Sequence, residues 1–471
     1  MRILSEDYSD NVRFIDETLR VDKSFDVLKK KLKIGKDELT LYYIDGFVKD
    51  AVMQKLMLYF VSLKGIPNTA DDFVLSHVTY VETDITEDVD LMIQMVMSGA
   101  TLLLGSKFGK RAIIIDTRTY PARETQEPEG DRVMRGPRDG FVETLIFNTA
   151  LVRRRIRNPS LTMHYITIGR DSQTDVVICY MADRADLDYV EKLNKKLKKV
   201  DTDSLTVGHQ SLAECLIRTK WYNPFPKIRT TERPDSAAAQ LLEGSVLIFI
   251  DNSPQVMVLP SSIFDFMQES NDFYFPPLTG TYIRLMRHIV FLLTLIITPL
   301  WYLCLLYPTI LPEWLHFALP TDTGQLPIIA QLLLAEFLID ALRLASLNTP
   351  DMLNNSLSVV GGLILGDFAV EIGWLIPEVI LYMAFVAIAN FTQRSYELGY
   401  AIKFMRILLL IVTAIFGIWG FAAGLVLIGV LVATNSTVNG KRRYLYPLVP
   451  FDAKALKSLF FRVRKKEPKN Q

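Results

Sequence analysis

The sequence lacks the motifs that usually announce an enzyme. No GxSxG, P-loop, GxGxxG or HExxH occurs, so acyl transfer, phosphate cradling, dinucleotide binding and zinc proteolysis are without their characteristic residues. Its histidines, His77, His164, His209, His288 and His316, lie far apart. Cysteine is scarce, and Cys179, Cys215 and Cys304 form no CxxC. That spacing gives neither a zinc knuckle nor a redox pair, and three small buried or lipid-facing hydrophobes are the plain reading. These absences predict a chain that is not an enzyme and holds no metal or cofactor. Net charge is missing too. Lys and Arg number 52 against 52 Asp and Glu, where a nucleic-acid binder would carry a basic surplus. The first 17 residues are polar, without the apolar run of a signal peptide, which predicts a front half that stays in the cytoplasm.

What the sequence does have is an apolar surplus in one place. From Ile289 to Ala433 it is dominated by Leu, Ile, Val, Ala and Gly, whereas before Arg287 it reads as a charged globular chain. The fold class expected is therefore an α/β N-terminal region of two subdomains followed by an all-α polytopic membrane domain. Residues 1–30 read as a polar arm. Residues 31–125 form a first subdomain, with a strand at 40–44, a helix at 49–63 and an apolar hairpin at 100–116. A Pro-, Glu- and Arg-rich connector at 117–140 leads to a second subdomain at 139–243, with strands at 161–168 and 174–180 and an amphipathic helix at 183–200. The hairpin at 244–260 has the shape of the one at 100–116, and we expect it to return to the first sheet. The membrane domain covers 284–435, and a basic tail covers 436–471. No internal repeat is legible, which counts against a transporter built from inverted repeats.

A spanning helix needs about 20 apolar residues. Ile289–Tyr307 is uncharged and preceded by Arg284, Arg287 and His288, the basic flank of a cytoplasmic side. Further apolar segments are 331–347, 356–374, 376–391 and 407–433. Arg394, Lys403 and Arg406 are expected in a cytoplasmic loop, and so is the tail with Lys441, Arg442 and Arg443. An inside tail requires an even number of crossings. Either 331–347 stays in the interface or the last segment folds back.

Ionisable groups at membrane depth usually face a bundle interior or a water path. Asp367 and Glu371, one turn apart, are the first candidates for an ion pathway, and Glu336 and Asp340 are the second. Around a shared axis such carboxylates form rings that attract cations. The competing reading pairs Glu336 and Asp340 with Arg343, and sets Asp367 and Glu371 near the headgroups. Gly362 with Gly366 and Gly420 with Gly424 have the GxxxG spacing of close helix packing, within one chain or between copies. Arg135, Arg138, Arg153, Arg154 and Arg155 concentrate positive charge for a subunit interface or an anion contact, or for a merely solvated face.

Arg135-Gly-Pro-Arg-Asp-Gly140-Phe141 with Glu143, then Arg153-Arg-Arg-Ile156, resembles a signature of the bacterial spore germinant-receptor A-subunit family. Asn223-Pro-Phe-Pro226, Arg233-Pro-Asp235, Leu241-Leu-Glu-Gly244 and Asp272-Phe-Tyr274 add to it in the same order. The resemblance covers about residues 35–450. Tyr444-Leu-Tyr-Pro-Leu-Val-Pro450-Phe451 sets the chain apart from the usual receptor subunits. The resemblance implies an integral protein of the spore inner membrane, with the N-terminal domain and tail facing the spore core. It implies a homo-oligomer around a pore, partner germination proteins of the same membrane, and release of monovalent cations or amplification of that release. The alternative is a non-conducting scaffold that docks those partners. No nucleic acid is implied.

Overall fold

A computed structural model describes residues 3–80, 82–120, 136–217, 220–269, 271–348, 368–435, 437–438 and 444–462. The chain divides into two compact units, Met1–Arg218 with Ile228–Pro260 and Thr219–Lys227 with Ser261–Gln471.

The first unit holds two five-stranded antiparallel sheets. One contains β1 (Val27–Ile34), β2 (Asp37–Ile44), β3 (Thr83–Thr86), β4 (Thr101–Gly105) and β5 (Ala112–Ile115), with α1 (Tyr8–Leu19), α2 (Asp50–Ser62), α3 (Ala70–His77) and α4 (Val89–Met97). Its strand order is β1-β2-β4-β5-β3. The other contains β6 (Leu161–Ile168), β7 (Thr174–Met181), β8 (Arg229–Thr231), β9 (Val246–Ile250) and β10 (Val256–Leu259), with α5 (Leu145–Arg155), α6 (Leu187–Leu197), α7 (Gly208–Leu216) and α8 (Pro234–Leu242). Its order is β6-β7-β9-β10-β8. The two sheets thus have the same topology.

This tandem repeat was not legible in the sequence, because a shared topology needs only a shared burial pattern. β2 and β7 both bury their middle four residues and leave the first two half-buried, and β4, β5, β9 and β10 are buried throughout. Gly99 and Gly244 both turn the chain from a helix into a central strand with φ of +102° and +93°, where a Cβ is strained. The repeat is in tandem, so it does not alter the argument against inverted transporter repeats.

Two sequence expectations fail here. Residues 1–30 are not a polar arm outside the fold, since α1 and the start of β1 lie within them and Ile15 and Leu19 are fully buried. Four residues apart, those two share one helix face and dock it on the first core. The hairpin at 244–260 does not return to the first sheet. Val176, Val177, Ile178 and Cys179 of β7 pair with Ile250, Phe249, Ile248 and Leu247 of β9, so it completes the second. Two apolar hairpins were each the centre of their own sheet.

In the second unit, α9 (Asn271–Tyr274) precedes α10 (Pro277–Leu306). They are followed by α11 (Ile328–Asn348), the single turn α12 (Ala369–Glu371), α13 (Pro377–Phe391), α14 (Tyr396–Ala433) and α15 (Ala453–Phe460). Pro299 lies inside α10 without interrupting it. α10 and α14 are each long and apolar enough to cross a membrane, and α11 has 21 residues, about 31 Å of helix.

α14 is a hairpin of two helices. At Gly417 the backbone takes φ +61° and ψ −136°, a conformation open in practice to glycine. A Cβ on Gly420 would meet the carbonyl of Val412, and one on Gly424 would lie 2.5 Å from Leu409 Cδ1. In a straight helix, residues 409 and 424 would stand about 22 Å apart. The 396–416 arm and the 418–433 arm therefore lie side by side, with the second GxxxG pair at their seam. The other pair, Gly362 and Gly366, lies outside the described residues.

The fold-back settles how the tail leaves the bundle. Asn435 Nδ2 donates to Phe225 O at 3.4 Å, and Ile263 N donates to Tyr444 O at 2.9 Å. The chain thus leaves the bundle at the end where α10 begins, which is called proximal below.

Candidate functional site

Residues 396–416 place Lys403 and Arg406 three apart, on one face of the first arm of α14. α11 places Glu336 and Asp340 four apart, likewise on one face. The two helices run antiparallel, so the faces meet in register. Arg406 Nε lies 2.7 Å from Glu336 Oε1, with Nη2 at 2.6 Å from the same oxygen, and Arg406 Nη1 donates to Thr294 O of α10 at 2.9 Å. Lys403 Nζ pairs with Asp340 Oδ2, and it lies 3.5 Å from Glu336 Oε2 and 3.4 Å from Glu336 O. Arg406 is fully buried, while Glu336 and Lys403 are each 6% exposed.

Two acids and two bases cancel where α11 meets α14, with Asp340 at the partly exposed edge, and the three buried groups obey the rule that charge survives in a low dielectric only when paired. Lys403 and Arg406 were expected in a cytoplasmic loop. They stand instead within an apolar helix, because the charge of α11 requires partners at that depth. The competing pairing of Glu336 and Asp340 with Arg343 is not formed among the described residues. Arg343 points to the proximal end, where its guanidinium lies 5.1–5.8 Å from the ring centroids of Phe391, Tyr396 and Tyr400, a cation–π cage. The signal that could have revealed the pairing was present: two bases three apart share one face of an apolar helix, and two acids four apart share one face of another.

At the opposite, distal end the fully buried Gln331 ties three segments together. Its amide donates to Thr323 O and Leu326 O at 2.8 Å each, and its Oε1 accepts from Ile376 N at 2.9 Å. Glu371 belongs to the neighbouring turn α12. It is exposed, forms no ion pair among the described residues, and lies amid exposed Phe368, Ile372 and Trp374. Asp367, its expected companion, lies outside the described residues.

The arginine concentration does not form one surface, because successive residues of α5 point about 100° apart. Arg153 is fully buried and grips Asp26 with Nε at 2.7 Å and Nη2 at 3.0 Å, adding Leu161 O at 3.0 Å. It belongs to the core of the first unit. Arg154 covers the ring of Tyr120 at 4.4 Å. Arg155 bonds Asp139 at 2.5 Å. Arg138 is exposed, and Arg135 lies outside the described residues. Among the described residues no group of three or more His, Cys, Asp or Glu is placed to hold a metal ion.

A second ionic cluster was missed altogether. Asp272, fully buried at the proximal end, accepts from Arg287 at 2.9 and 3.0 Å and from Arg284 at 3.2 Å. Arg287 also pairs with Glu269. In the sequence these arginines look like an ordinary basic flank.

A profile of the Bacillus/Clostridium GerA spore germination proteins matches residues 14–471. The chain belongs to this family. Stage V sporulation protein AF of Bacillus subtilis (strain 168) is 37% identical over 460 residues, which is 97% of this chain and 92% of that one. Spore germination protein KA of the same organism is 28% identical, over 94% of this chain and 82% of that one. The likeness to AF is the stronger of the two, as the ending Tyr444–Phe451 leads one to expect. Among solved structures, the N-terminal domain of the A subunit of the Bacillus megaterium spore germinant receptor GerK3 has 25% sequence identity and a TM-score of 0.40. It covers 55% of this chain and 96% of that one. GerA-family membership and the apolar helices α10 and α14 point to a membrane protein.

Proposed function

We propose that this GerA-family chain acts in bacterial spore germination as a membrane subunit whose helical unit assembles into an oligomeric channel. The channel releases monovalent cations or amplifies their release. It works in the spore inner membrane with other germination proteins there, and the N-terminal unit and tail face the spore core. The observation that carries the reading is the contrast between two sets of carboxylates. Glu336 and Asp340 are neutralised within the chain, whereas Glu371 stands exposed amid apolar side chains with no ion pair among the described residues. An exposed carboxylate among Phe368, Ile372 and Trp374 is favourable where water or a cation path reaches it, and copies around an axis would form a ring.

Conductance of the purified full-length oligomer in planar bilayers tests this. Cation current is expected from the parent protein, with the Asp367→Asn/Glu371→Gln double variant reducing it at least tenfold at equal protein level. Unchanged current would remove these residues from the pathway. The non-conducting scaffold is favoured by one observation, that Glu336 and Asp340 are locked to Lys403 and Arg406. Absence of current from the parent oligomer would support it.

A further inference from the structure

After leaving the bundle, the chain does not run free into solution. Residues 444–462 return along the base of α10. Arg284 Nη1 donates to Ser458 O at 2.7 Å, Arg462 N donates to Thr281 Oγ1 at 3.1 Å, and Phe460 lies 5.1 Å from the ring of His288. The buried side chain of Leu459 fixes α15 in place. His288 is the last polar residue before the uncharged run at Ile289. Thr281 is seven residues earlier, about 10 Å lower along the helix. If the uncharged run from Ile289 marks the start of the hydrocarbon layer, α15 lies alongside the 5–10 Å in which interfacial amphipathic helices sit.

The outward side of this segment has the chemistry of that layer. Phe451 is 71% exposed and Phe461 50%, and in the first turns of α10 Leu278 is 84% exposed and Tyr282 63%. Lys454 and Lys457 are exposed on α15. Between 436 and 471 the sequence has ten Lys and Arg, from Lys441 to Lys469, against the two acids Asp452 and Glu467. Exposed aromatic groups with an unbalanced positive charge complement a surface that is apolar within and anionic without.

We infer that residues 444–462 form a peripheral clamp that binds anionic phospholipid headgroups at the base of the first membrane helix. The positive charge selects the headgroup, the aromatic side chains enter the acyl boundary, and the backbone bonds to Arg284 and Thr281 join that contact to α10. The clamp requires no conduction by the bundle.

The test uses the full chain in nanodiscs of phosphatidylcholine alone or with phosphatidylglycerol, read by amide hydrogen exchange over 453–462. Slower exchange is expected with the anionic lipid. Lys454→Glu/Lys457→Glu should abolish that difference, at about fivefold per lysine, without changing exchange in β9 and β10. Equal exchange in both lipids would overturn the inference. So would a lipid difference that survives the double reversal, because the lysines would then not account for it.

Discussion

Replacing Glu336 by Gln strands Arg406, a fully buried guanidinium that keeps its hydrogen bond to the carbonyl of Thr294. The pair it loses has contacts of 2.6 and 2.7 Å to one carboxylate oxygen. Breaking a buried pair from one side costs about 3–5 kcal/mol, because the other charge is left uncompensated. For a unit of this size, that corresponds to a fall of roughly 10 °C in the unfolding midpoint. Arg406→Met leaves Glu336 held by Lys403 alone and should be similarly harmful. The double variant Glu336→Gln/Arg406→Met removes both charges and leaves the Lys403–Asp340 pair intact, so its midpoint should return to within a few degrees of the parent. The assay is the midpoint of heat-induced loss of the monodisperse peak in detergent, with cation current measured on the same preparations. If Glu336 belongs to the ion path, the double variant recovers stability but not current. If its role is structural, it recovers both. A double variant as unstable as the worse single one would refute the pairing argument itself.

Three further outcomes follow from the packing. Gly420→Ala should cost more than Gly424→Ala, because the added methyl meets the Val412 carbonyl in one case and the movable end of Leu409 in the other; protease sensitivity of the α14 hairpin checks the order. Arg153→Met leaves Asp26 buried without its guanidinium and should destabilise the first unit by about 3–5 kcal/mol. Asp26→Asn/Arg153→Met should regain most of that loss in urea unfolding. His209, half-buried in α7, is held below its ordinary value by burial. Its unfolded form therefore takes up a proton near pH 6.5 that the folded form resists. Stability of the first unit should fall as pH drops from 7.5 to 5.5, and His209→Gln should flatten that slope in thermal melts.

The sequence by itself determined the division into a charged front half and an apolar back half. The concentration of Leu, Ile and Val after Ile289 leaves no other way to hide that surface. It also determined most strands and helices, since periods of 2 and 3.6 are written locally. Ordered motifs such as Arg233-Pro-Asp235 revealed the family. The partners of these elements were decided only by tertiary structure. β9 joins the second sheet and not the first, because two apolar hairpins of equal character carry no local mark of which core they fill. Lys403 and Arg406 looked like a cytoplasmic loop because charge within apolar sequence reads locally as an end. It becomes an interior feature only when Glu336 and Asp340 lie opposite. The sequence left open whether the segment at 407–433 folds back, and nothing local marked Gly417 among its glycines. Gly417 is the reversal of the chain, a distinction made by its backbone angles and by Leu409 lying against Gly424, fifteen residues away in sequence.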